Sequence, residues 1–126
     1  SNCYDLDVLK YLFNNAKVKP SIVQNRFYAQ SDYDKEIRSF CNENQITYES
    51  FWSLTANPNI LSDEVLQNLA LKYERGVAEI FYRFLNHINI VPLNGTTSFK
   101  HMIEDLKIGE FELTREEINS IYNLLN

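Results

Sequence analysis

Three apolar runs, each followed by polar or aromatic residues and then by a helical pattern, constrain this chain more than any other feature. The runs are Ser21-Ile22-Val23-Gln24-Asn25-Arg26-Phe27, Thr47-Tyr48-Glu49-Ser50-Phe51-Trp52 and Ile88-Asn89-Ile90-Val91-Pro92. Strand, polar loop and helix in repeated order is the pattern of a parallel α/β protein whose chemistry sits at the carboxyl ends of the strands. Residues just after each run are expected to face a ligand, and residues within the helices to pack. Three such units are too few to close a barrel, so the pattern reads as part of a fold.

The intervening segments carry helical periodicity. A first helix is expected over residues 5–15, capped by Asp5, with Val8 and Leu12, and Leu9 and Phe13, on one stripe. A second, over residues 34–44, places Ile37, Phe40 and Cys41 on one face. After the loop of residues 53–59, Ser62 is expected to cap a helix carrying Val65, Leu66, Leu69, Ala70 and Tyr73. Arg75-Gly76 interrupts it before a stripe of Val77, Ile80, Phe81, Phe84 and Leu85. A short helix with Met102, Ile103 and Leu106 should follow the third strand. The last helix is marked by a capping box, Thr114 with Glu117, and a hydrophobic staple, Leu113 with Ile118.

Composition excludes several classes. The chain has 126 residues, which bounds it to one domain over residues 1–126, and 44% of them are hydrophobic, enough for a packed core. A net charge of -5 argues against nucleic-acid or anionic-membrane partners, which call for a basic face. No apolar stretch approaches the roughly 20 residues of a spanning helix. Nothing suggests secretion, two cysteines make no disulfide framework, and a cytoplasmic location is expected. Cys41 is expected in the core.

Among residues that could carry chemistry, the loop Leu93-Asn94-Gly95-Thr96-Thr97-Ser98 combines small hydroxyls and a glycine ahead of a helix. Such a loop can bind an anion, usually phosphate, or simply cap the helix. Phe51 and Trp52 should point to opposite sides of the second strand, so that one can face the barrel mouth while the other packs outward. An aromatic there can stack on a flat ligand ring but is more often core. Gln24 carries a carboxamide inside a strand, which calls for a structural partner or a ligand amide. His87, at a helix end, is placed to complement the dipole. Neither His87 nor His101 has a second ligand at metal spacing, so no metal site is expected.

Taken in order, several stretches resemble the carboxyl-terminal part of the aldo-keto reductases, in a fungal-like variant. They are Ser1-Asn2, Lys19-Pro20-Ser21-Ile22-Val23-Gln24-Asn25, Tyr48-Glu49-Ser50-Phe51-Trp52-Ser53-Leu54, Val91-Pro92-Leu93-Asn94-Gly95-Thr96-Thr97-Ser98 and Phe111-Glu112-Leu113-Thr114. The resemblance implies a partial (β/α)8 TIM barrel, comprising the last three βα units and a carboxyl-terminal helix. It also implies an NAD(P)H-dependent reductase of aldehydes and ketones, with NADPH or NADH as cofactor and a small carbonyl compound as substrate. Ser1, Asn2 and Gln24 match positions that hold the nicotinamide carboxamide, and Phe51 matches the aromatic that stacks on its ring. Ser53 and Leu54 fall in the stretch lining the pyrophosphate. Gly95, Thr96 and Thr97 form the phosphate loop, with Thr96 matching the hydroxyl on the 2′-phosphate, and Glu104 and Asp105 match positions that read adenine.

Departures from the family pattern are visible. Phe51 replaces a common tyrosine, and Leu93 stands where a phosphate-gripping lysine is usual. His101 occupies the position of an arginine clamp, and Asp105 that of an asparagine. The family's catalytic Asp, Tyr, Lys and His match nothing in this chain and would come from the missing amino-terminal half of the barrel, with Tyr as general acid. The 126 residues alone are therefore expected to be inactive, and their uncovered edges to favour self-association. An alternative from another class is a non-catalytic nucleotide-binding or interaction module on the same scaffold.

Overall fold

The computed structural model describes residues 3–93 and 110–125. Asp5 launches α1 (Leu6–Asn15), its carboxylate accepting the N–H groups of Asp7 at 2.9 Å and Val8 at 3.3 Å. Lys19-Pro20 precedes β1 (Ile22–Arg26), as expected of a proline that holds its neighbour extended. A tight 3-10 segment (Ala29–Asp34) leads into α2 (Lys35–Glu43), followed by β2 (Thr47–Phe51). Then come α3 (Pro58–Leu61), α4 (Glu64–Tyr73), α5 (Val77–His87) and β3 (Ile90–Pro92). The described chain closes with α6 (Arg115–Tyr122) and a 3-10 turn (Asn123–Leu125).

The strands form one parallel sheet in chain order, β1-β2-β3. Order without reversal is that of a barrel wall; a doubly wound sheet reverses at a switch point. Val23 pairs with Tyr48 and Tyr48 with Ile90; Gln24 pairs with Glu49 and Glu49 with Val91. This register splits the sheet into two faces. Val23, Tyr48 and Ile90 are buried with Leu9 of α1, Ile37 and Cys41 of α2, Leu66 and Leu69 of α4, and Ile80, Phe81, Phe84 and Leu85 of α5. The opposite face, bearing Ile22, Gln24, Arg26, Thr47, Glu49, Phe51 and Val91, has no layer of described residues over it. Its apolar members show the consequence, Ile22 being 41% and Val91 44% exposed.

Several boundaries differ from expectation for local reasons. Pro58 opens a short helix inside the expected loop, at the position where a missing N–H costs nothing. Ser62 ends that helix, and the cap of α4 is Asp63, which accepts the Val65 N–H at 2.9 Å. Ile88 terminates α5, and Asn89 turns with a φ of 64°, so β3 begins only at Ile90. Trp52 also takes a left-handed conformation (φ 56°), which ends β2 and breaks its alternation. It does not pack outward and is 59% exposed. His87 does not serve as a charged dipole partner: its Nε2 accepts the Leu113 N–H at 3.2 Å, and burial with nearby Arg83 holds its pKa down. Among the described residues, no helix is long and apolar enough to cross a membrane.

Glu117 joins α6 to α4. Its carboxylate accepts from the Thr114 N–H at 2.8 Å, closing the capping box, from Lys72 at 2.6 Å, and from the Tyr73 hydroxyl. Burial pushes the carboxyl pKa upward, but the hydrogen bonds from Lys72, Thr114 and Tyr73 outweigh it and bring the pKa down to about 2. A depressed carboxylate stabilises the folded form above its unfolded value of 4.5, and that contribution fades as pH falls towards about 2. Denaturant melts between pH 5 and pH 2 should show Glu117→Gln less acid-sensitive than the parent. Equal slopes for both proteins would contradict this role.

Candidate functional site: the carboxyl ends of the strands

Strand alternation and parallel register place Gln24, Arg26, Glu49 and Phe51 on the uncovered face. Arg26 is the register partner of Phe51, and Gln24 lies one pleat below Arg26 on the same strand. Gln24 and Phe51 are thus diagonal neighbours, roughly 8 Å apart from the strand spacing and rise. The Gln24 carboxamide is partly exposed and makes no hydrogen bond among the described residues, so both its donor and its acceptor are available to a ligand. Phe51 is half-buried and presents its ring at the end of β2, with Trp52 edge-on at 6.3 Å and 87°.

Behind this face, a buried polar network ties the strand ends to the segment before α1. Asn25 is fully buried and grips the Cys3 backbone at two points. Its Oδ1 accepts the Cys3 N–H at 2.9 Å, and its Nδ2 donates to the Cys3 carbonyl at 2.6 Å. Nδ2 also donates to the Asp34 carboxylate at 3.0 Å, which accepts the Tyr48 hydroxyl at 2.5 Å. Burial, reinforced by that hydrogen bond to Asp34, raises the Tyr48 pKa, so its hydroxyl stays a donor. Asp34 reaches this position through three successive left-handed residues, Asp32, Tyr33 and Asp34, with φ of 51°, 54° and 51°. Such residues cost about 1–2 kcal/mol each. Burial of the Tyr33 ring against Phe27 at 4.9 Å, and the Arg38 Nε–H donating to the Tyr33 carbonyl at 2.7 Å, oppose that cost. Cys41 lies fully buried nearby; burial, with Asp34 and Cys3, lifts its pKa to about 11, so it remains an inert thiol.

The turn after β2 is built from the inside. Ser53 is 2% exposed, and its hydroxyl pairs with Ser50 Oγ at 2.7 Å. Asn57 Nδ2 donates to the Ser53 carbonyl at 2.8 Å and to the Phe27 carbonyl at 2.7 Å, stitching this turn to the end of β1. Leu54 packs against the core. Both side chains therefore serve the turn, and what they offer a ligand is backbone. Ser1, Asn2, Gly95, Thr96, Thr97, His101, Glu104 and Asp105 lie outside the described residues. The expected short helix with Met102, Ile103 and Leu106 does too. Sequence patterning had singled out neither Asn25 nor Arg26; the available signal was the period of two that puts Arg26 on the Gln24 face.

The arrangement defines a class: an α/β chain whose parallel sheet is an arc of a (β/α)8 barrel, with polar and aromatic side chains gathered at the strand ends. No protein-family model matches the chain. It is similar to the glyoxal reductase of Bacillus subtilis, with 29% identity over 113 residues that cover 90% of this chain and 40% of that protein. An aldo-keto reductase from a Medee basin deep-sea metagenome library matches its fold with a TM-score of 0.86 and 23% identity, over 99% of this chain and 46% of the other. A Gox0644 variant solved in complex with NADPH matches with a TM-score of 0.84 and 21% identity, over 98% of this chain and 45% of the other. This chain resembles the carboxyl-terminal part of the aldo-keto reductases, and it spans about two fifths of the length of that curated relative.

Proposed function

We propose that these residues form much of the dinucleotide site of an NADPH- or NADH-dependent aldo-keto reductase. The enzyme reduces aldehydes and ketones to alcohols. The observation that carries this reading is the Gln24–Phe51 pair: an unspent carboxamide and an aromatic ring share one open face at the strand ends. A nicotinamide fits both, because its amide needs a donor and an acceptor and its ring needs an aromatic surface.

When bound, the reduced nicotinamide supplies a hydride to a carbonyl carbon. This chain's own part is to hold and orient. Gln24 fixes the carboxamide and thereby the ring's rotation, while Phe51 supports one ring face and leaves the other towards the substrate. The Asn25 clamp on Cys3 sets the chain path next to Ser1 and Asn2, the further carboxamide partners implied by the resemblance. The backbone of Ser53 and Leu54, held by Asn57, borders the pyrophosphate path, and Gly95, Thr96, Thr97, His101, Glu104 and Asp105 complete the adenosine end. Protonation of the carbonyl oxygen falls to the family's Tyr, on polypeptide other than these residues, so these 126 residues alone are inactive.

The test is turnover: NADPH consumption by the intact protein with glyoxal and a panel of simple aldehydes. Aldehyde-dependent oxidation of the dinucleotide supports the reading. Tight NADPH binding with no turnover on any carbonyl would replace it with a nucleotide-binding module on the same scaffold.

A further inference from the structure

Arg26 carries the one positive charge among the described residues of this open face, diagonal to Glu49 on β2, and it has no assigned task. Its side chain points to the open face, two residues beyond Gln24 and directly across from Phe51. Its guanidinium lies over the ring of Trp52 at 4.5 Å and that of Tyr28 at 5.2 Å. Its backbone N–H is fixed by the Tyr4 hydroxyl at 2.9 Å. Among the described residues no carboxylate lies within ion-pair distance of it, not even Glu49 on the neighbouring strand. Aromatic faces hold a guanidinium in place while leaving its N–H fork open, which is the geometry for bidentate capture of an oxyanion.

We propose that Arg26 is a specificity-determining residue that binds a carboxylate carried by the carbonyl substrate. The assignment rests on the dinucleotide site proposed above, in which Phe51 marks the nicotinamide and hence the place of hydride transfer. A cation across from that ring is positioned for a group on the substrate. The pyrophosphate path runs past the following turn of Ser53 and Leu54. The favoured substrates are therefore small oxo acids or aromatic aldehydes with an acid group, in preference to neutral carbonyls.

The experiment compares para-carboxybenzaldehyde with benzaldehyde in the intact protein, as parent, Arg26→Met and Arg26→Lys, with the NADPH dissociation constant and thermal midpoint measured for each. The parent should favour the acid, and Arg26→Met should cut that preference in kcat/KM by about tenfold, through KM, with NADPH affinity unchanged. Arg26→Lys, which keeps charge but loses the fork, should restore part of it. Unchanged selectivity in Arg26→Met overturns the proposal, as does a loss of NADPH affinity with both aldehydes equally affected, which would assign Arg26 to the pyrophosphate. A shift in thermal midpoint with selectivity intact would make Arg26 structural and also overturn it. If the parent reduces neither aldehyde, it is the dinucleotide reading that has failed; if it reduces either one, only the role of Arg26 is at stake.

Discussion

Phe81→Ala is expected to lower the unfolding free energy by about 3–5 kcal/mol, the largest loss for any single truncation considered. Phe81 is fully buried on α5, between Phe27 at the end of β1 (ring centroids 6.4 Å) and Phe84 one turn further along its own helix (6.1 Å). Its removal opens a void in the layer joining helices to sheet, and the strands cannot collapse into it without losing register. The gain in helix propensity from alanine, about 0.5 kcal/mol, is too small to compensate. Urea unfolding should show a lower midpoint at an unchanged slope. A loss below about 1 kcal/mol would mean that this layer repacks freely, contrary to its interlocked rings.

Asp34→Ala comes next, with an expected loss of about 3 kcal/mol. The substitution leaves the Tyr48 hydroxyl and one Asn25 N–H buried without an acceptor, each costing about 1–3 kcal/mol. It also places alanine at a φ of 51°, where aspartate is better tolerated. The loss should be coupled to its partner: in an Asp34→Ala background, Tyr48→Phe should cost little or even stabilise, because it removes the orphaned donor. Strict additivity of the two changes in a double-mutant cycle would show that the 2.5 Å contact carries no energy.

Which parts of this molecule were readable from the chain follows from the range of the interactions involved. Helices α1, α5 and α6 rest on local signals, apolar spacing and caps such as Asp5 and the Thr114–Glu117 box, and they stand where those signals put them. The shared face of Gln24 and Phe51 was legible because alternation is local and a parallel sheet converts it into adjacency. Boundaries decided by one left-handed residue, Trp52 or Asn89, were not, since such conformations answer to tertiary packing more than to propensity. The capping of α4 by Asp63, one residue after the expected Ser62, belongs to the same class. The Asn25–Asp34–Tyr48 network was invisible for a different reason: its members are separated in the chain by 9 and 14 residues, and no periodicity links them. The inward turn of the Ser53 hydroxyl to Ser50 was not legible either, because it follows the left-handed Trp52 between them.

The central claim, that the Gln24–Phe51 face receives a nicotinamide dinucleotide, is tested most directly by NADPH titration of the intact protein, read by quenching of tryptophan emission. Trp52 lies edge-on to Phe51 and should report occupancy. Phe51→Ala and Gln24→Ala should each weaken binding about tenfold, the equivalent of roughly 1.4 kcal/mol. Thr47→Ala, on the same face at the opposite end of β2, should leave it unchanged. Saturable binding that none of these substitutions alters, or no binding at all, would contradict the claim.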